Sequence, residues 1–122
     1  MKLKSILFPI LFFVFIFSSC KHELKDDAAK VGDAMCRNIE IMNKLRAADP
    51  ADSVTMQKLR MQQHQLEIEM TIIYKEFGEK YKEKTKDPNF NKKFNMELRR
   101  AMLDCPSLSA KDREIFEKEL NK

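Results

Sequence analysis

Glycine is nearly missing from this 122-residue chain: only Gly32 and Gly78 occur. No Asn-Gly or Asp-Gly pair is present, so the commonest short hairpin signals are absent. The residues that dominate instead are Met, Leu, Glu, Lys, Gln and Ala, all good helix formers. These facts exclude a hairpin-rich β fold and predict an all-α protein. Tryptophan is absent and histidine is limited to His22 and His64. There is no Cys-x-x-Cys, which argues against thioredoxin-like redox chemistry, and no Cys-x-x-Cys-His for a c-type haem. Serines Ser53, Ser107 and Ser109 fall at expected turns or helix starts, with no base and orienting group to make a nucleophile. Acids such as Glu67 and Glu69 point to different sides of a helix. No enzymatic activity and no cofactor are expected.

What is present begins with targeting. Lys2 and Lys4 form a short positive start, and residues 6–17, ILFPILFFVFIF, an unbroken apolar run. At ~1.5 Å per residue the run spans about 18 Å, short of a ~30 Å hydrocarbon core. Pro9 also argues against a permanent spanning helix. Ser18, Ser19 and Cys20 follow. This order reads as a secretory signal over residues 1–19.

A cysteine directly after the small pair resembles the lipobox of bacterial lipoproteins, although Phe17 stands where that family usually has an aliphatic residue. The resemblance covers residues 1–20 and does not reach the mature domain. It implies that Cys20 carries a diacylglycerol and becomes the first mature residue. It also implies lipid anchoring in the bacterial cell envelope. No Asp follows Cys20, which in this family favours the outer membrane over the inner. Residues Lys21 to Lys30 are polar and read as a short tether. The divisions expected are 1–19 signal, 20–24 lipidated N-terminus and 25–122 helical domain.

Removing residues 1–19 leaves 103, enough for one modest core. Without Lys2 and Lys4 the 23 basic residues fall to 21, against 19 acidic ones. That near balance, in scattered charges, gives no case for a nucleic-acid partner.

The prolines divide the mature chain. Asp49-Pro50 and Asp87-Pro88 each place an acid at an N-cap before Pro at the first helical position. Asp52 sits three residues after Asp49 in a capping-box-like pattern, and Ser109 with Asp112 repeats it. The expectation is helix A about 25–48, helix B 51–85, helix C 89–104 and helix D 109–120. Together they form a small antiparallel bundle of three main helices and a short fourth. Helix A carries Leu24, Ala28, Val31, Met35, Met42 and Leu45 on one stripe, with Asn38 interrupting. Helix B carries Met56, Leu59, Leu66, Met70, Ile73, Phe77 and Tyr81, interrupted by Gln63. Helix C shows Phe90, Phe94, Leu98, Ala101 and Cys105. Helix D offers Ile115, Phe116 and Leu120.

Two further stripes matter. Ala29, Gly32 and Cys36 are small and would let a third helix approach helix A closely. On helix B, Val54, Met61, Ile68 and Ile72 fall roughly 160° from the main seam at 100° per residue. Either helices C and D cover this second face or a partner does. Helix C is expected along the C-terminal half of B, near 70–85, where it leaves Val54 and Met61 uncovered. The stripe is therefore the candidate partner surface.

Cys36 and Cys105 remain, and an envelope compartment is oxidising. With the A/B hairpin pivoting at 49–50, Cys36 is level with about residue 63. With B/C pivoting near 87, Cys105 is level with about residue 69. The offset is near 9 Å, small enough for bends to absorb. A Cys36–Cys105 disulfide follows as the expectation.

Two functional classes fit these features. One is an accessory, chaperone-like partner that stabilises another envelope protein or lipoprotein. The other is a structural or surface lipoprotein that self-associates through the same stripe. A minor third is a Cu(I) site using Met61 and His64, because thioether and imidazole suit that ion. Methionine at helical spacing is more simply core filler.

Overall fold

A computed structural model describes the backbone from Lys4 to Lys122 and the side chains from Glu23 onward. Among the described residues there are four α-helices and no strand. These are α1 (Lys4–Ala47), α2 (Ser53–Lys80), α3 (Pro88–Leu103) and α4 (Ala110–Leu120), with a short 3-10 turn at Lys84–Lys86. The protein is an all-α bundle, as its composition dictates.

Helix starts follow local chemistry. The Asp87 carboxylate accepts from Asn89 N at 2.9 Å and Pro88 opens α3. The Ser109 hydroxyl accepts from Asp112 N at 3.1 Å and opens α4. The start of α2 departs from expectation. Asp49 uses its carboxylate on Ala51 N at 2.9 Å, making a tight turn around Pro50. Asp52 becomes the cap instead, accepting from Thr55 N at 3.1 Å. The helix therefore begins at Ser53. It also ends early, at Lys80 rather than 85, because Tyr81 turns into the bundle and the chain tightens to reach Pro88.

The polar stretch expected as a tether is helical, since no glycine or proline interrupts the chain between Pro9 and Gly32. It is also packed from Asp27 onward. Ala28 is fully buried, and the Asp27 carboxylate accepts from Tyr81 Oη and Lys80 Nζ, both at 2.7 Å. The packed part of α1 thus reaches back to Asp27.

Helices α1 and α2 pack antiparallel along the two expected seams. Val31, Ala28, Leu59, Leu66 and Tyr81 are buried. Asp27 pairs with Lys80, Arg37 with Glu69 at 2.6 Å, and Gln63 donates to Met42 Sδ at 3.3 Å. This register pivots about three residues later than expected and sets Cys36 level with Met70. The offset foreseen between the cysteines therefore shrinks.

Helix α3 approaches the small stripe of α1, as expected, and lies parallel to that helix; the expectation that it also runs along α2 near 70–85 is corrected. Only its first turns meet α2, through Phe94 on Phe77 and Phe90 on Tyr81, with ring centroids 4.5 and 5.2 Å apart. The small stripe of α1 explains the choice. A Cβ built on Gly32 would stand 3.0 Å from Ala101 Cβ, so the two backbones approach closely enough that an added carbon would make its neighbour give by a few tenths of an ångström. Cys36 and Cys105 meet one turn further on as a disulfide, with Cα atoms 5.7 Å apart. Beneath it Met102, Cys105 and Leu108 form a buried cluster with Met35, Ile39 and Phe116 packed on it. Helix α4 rests on α3 alone. Arg113 ties them by donating to the carbonyls of Leu103 and Cys105, and Arg99 pairs with Glu119 at 2.7 Å. Ile115, expected on the inner face of α4, points to solvent with 42% of its surface exposed.

Candidate partner interface

The seam of α2 uses residues three and four apart and turns them all toward α1. Because α3 also chooses α1, nothing among the described residues reaches the far side of α2. Val54 is 77% exposed, Met61 59%, Ile68 51% and Ile72 52%. All four residues of the second stripe are therefore open. The alternative that the last two helices cover them is overturned. Fractions this large are unusual for β-branched and long apolar side chains spaced to form one face.

The surroundings of this stripe are rich in glutamine at its N-terminal half and hold no carboxylate there. Val54, Gln57, Lys58, Met61, Gln62 and Gln65 line a shallow depression on the outer side of α2. A second depression shares Met61 and runs toward Pro50, bordered by Met56, Arg60 and His64. Glutamine keeps such a surface wet without the desolvation cost of a carboxylate or ammonium. These glutamines were not singled out from the sequence, although the uncharged run Gln62-Gln63-His64-Gln65 is visible there.

Other candidate residues fall as follows. Cys20 and the signal-like residues 1–19 lie outside the residues whose side chains are described. Cys36 and Cys105 are joined. Met61 and His64 occupy the same side of α2, with His64 Nδ1 4.0 Å from Glu67 and largely solvated. Among the described residues no three His, Cys, Asp or Glu side chains converge to hold a metal. No helix of the described residues is long and apolar enough to cross a membrane.

A half-buried electrostatic coupling lies elsewhere, at the end of the bundle where Asp27 of α1 meets the end of α2. Burial works against ionisation of Asp27. Hydrogen bonds from Lys80 and Tyr81 and the charges of Lys80 and Lys30 outweigh it, holding the carboxyl below its ordinary range. Burial together with the hydrogen bond to Asp27 pushes the Tyr81 phenol up to about 12. This arrangement joins α1 to the end of α2 and borders a small depression lined by Asp27, Lys30, Glu76 and Lys80. Comparison with protein-family models, curated proteins and solved structures finds no match to this chain.

Proposed function

We propose that this chain is a lipid-anchored protein of the bacterial envelope, attached through Cys20, that binds another envelope protein non-catalytically through the outer face of α2. The observation that carries the reading is the open stripe of Val54, Met61, Ile68 and Ile72 on a helix packed on its opposite side alone. An apolar helical face bearing an adaptable methionine and flanked by glutamine suits helix-mediated recognition of a protein surface. The disulfide supports an oxidising compartment, and outer-membrane sorting follows from the residues after Cys20.

The test is crosslinking in cells with the tagged, lipidated protein, followed by mass spectrometry of what co-purifies. The expected result is one dominant envelope protein that disappears with Met61→Glu/Ile68→Glu. Unchanged recovery from that variant would reject the surface. Recovery of crosslinked copies of this chain alone would favour the alternative occupant, a second copy, and make the protein a self-associating structural lipoprotein.

A further inference from the structure

We infer that the end of the bundle formed by the α2–α3 connection is a basic foot that rests on anionic lipid headgroups of the membrane holding the chain's own N-terminus. The inference rests on the anchored reading above and adds an orientation to it.

The sequence between Lys80 and Lys93 holds six lysines against two acids, Glu83 and Asp87. Both acids are engaged within the protein. Glu83 pairs with Lys86 at 2.9 Å, and Asp87 caps α3. Lys80 is neutralised by Asp27. Among the described residues, Lys82, Lys84, Lys92 and Lys93 have no carboxylate partner, and all four are exposed. Lys84 reaches across the Tyr81 ring, 5.9 Å from its centroid, which places its charge at the tip of the bundle.

The fold sets where this charge sits. Tyr81 donates to Asp27 and stacks near Phe90, so the connection is locked against the turn of α1 that holds Asp27. Lys25 on that turn is exposed beside exposed Asp26, so the turn adds no net charge and the basic character of this end comes from the α2–α3 connection. An anchor at Cys20 lies seven residues before Asp27, about 10 Å of helix or about 25 Å of extended chain. The opposite end of the bundle, where α2 starts, is farther by the length of the helices. The end that must stand nearest the membrane is therefore the lysine-rich one. Its unpaired ammonium groups come within reach of a headgroup layer whose potential decays over about 8 Å at physiological salt. Anionic lipid is the matching partner, because each basic residue held near such a surface adds to binding, while zwitterionic headgroups offer no such field.

The test uses the full chain, expressed and lipidated in bacteria, purified and reconstituted into vesicles of phosphatidylcholine alone or mixed with phosphatidylglycerol. Lysine reactivity toward an amine-acylating reagent is read by peptide mass spectrometry, with flotation reporting attachment. At Lys82, Lys84, Lys92 and Lys93 the expected result is at least about a threefold loss of labelling on the phosphatidylglycerol vesicles only, relieved by high salt. Lys58, near the far end, should label equally on both. In Lys82→Glu/Lys84→Glu, changed only at exposed positions, Lys92 and Lys93 should regain reactivity. Equal labelling on both vesicles by a chain that floats with both would overturn the foot and leave the anchor standing. A chain that floats with neither removes the anchor, and the orientation falls with it.

Discussion

Gly32 and Ala101 hold α1 and α3 at a separation with little room for a further carbon: a Cβ on the glycine would meet the alanine Cβ at 3.0 Å. Gly78, the second glycine, has nothing within 4 Å of the same construction. The two sites make a matched pair. Each lies inside a helix, so alanine should improve both by up to ~1 kcal/mol on propensity alone. At Gly78 that gain should appear in full. At Gly32 the clash with a stiff neighbour, fixed one turn from the disulfide, should cancel it, and Gly32→Val should cost about 1–3 kcal/mol. Urea midpoints decide the matter. A stabilised Gly32→Val would mean that α3 stands farther off than described.

The disulfide closes a separation of 69 residues. Loop-closure entropy assigns it about 4 kcal/mol, and its removal from small exported domains typically costs ~2–5 kcal/mol. Since α4 touches only α3, the Cys36→Ser/Cys105→Ser protein should lose both together. Hydrogen exchange should accelerate in Pro88–Leu120 before it does so in the α1–α2 pair. A midpoint within ~0.5 kcal/mol of the native value would show that packing around Met102 holds α3 without the crosslink.

Tyr81 gives a pH signature. Its folded pKa, about 12, lies above the ordinary value of 10.0. The folded state therefore keeps the phenolic proton longer than the unfolded chain does. The stabilisation is complete below pH 10 and is lost as pH rises toward 12. Asp27 has the opposite sign: its carboxyl is held low, so its contribution is present above the ordinary 3.8 and lost on acidification below that. Tyr81→Phe should be less stable than the native protein at neutral pH. The gap between the two should narrow between pH 10 and 12 in urea titrations. A constant gap across that window would separate the phenol from Asp27.

The outer face of α2 should be silent in stability and decisive in binding. Met61→Glu and Ile68→Glu alter residues more than half exposed, and each should shift stability by no more than ~0.5 kcal/mol. Leu66→Ala, on the buried seam at 4% exposure, should cost about 2–5 kcal/mol. Circular dichroism and thermal melts, run beside the crosslinking, distinguish a lost surface from a lost fold. If the two glutamates unfold the protein, the stripe is core.

The helices and their seams were written in the amino-acid order. Low glycine, three- and four-residue apolar spacing and the Asp87-Pro88 and Ser109 starts specify four helices, and the seams bury Ala28, Val31, Leu59, Leu66 and Tyr81 while Ile115 stays exposed. Spacing along one chain also brought out the second stripe of α2 and the small stripe of α1, and paired Cys36 with Cys105. These are local properties, set by helix periodicity, which any segment carries by itself.

Which neighbour each stripe meets was decided only in three dimensions. Asp49 and Asp52 compete for the same turn, and the winner moved the α1–α2 register by about three residues. Helix α3 could have lain on α2, whose outer face carries Val54, Met61, Ile68 and Ile72. It lies on α1 because Gly32 permits a close approach and the cysteines meet there. Two consequences could not be read from periodicity, since both depend on what a helix does not touch. The far side of α2 stays open along its whole length, Ile68 and Ile72 included. The lysines of the α2–α3 connection gather at the end where α1 emerges from the N-terminal segment.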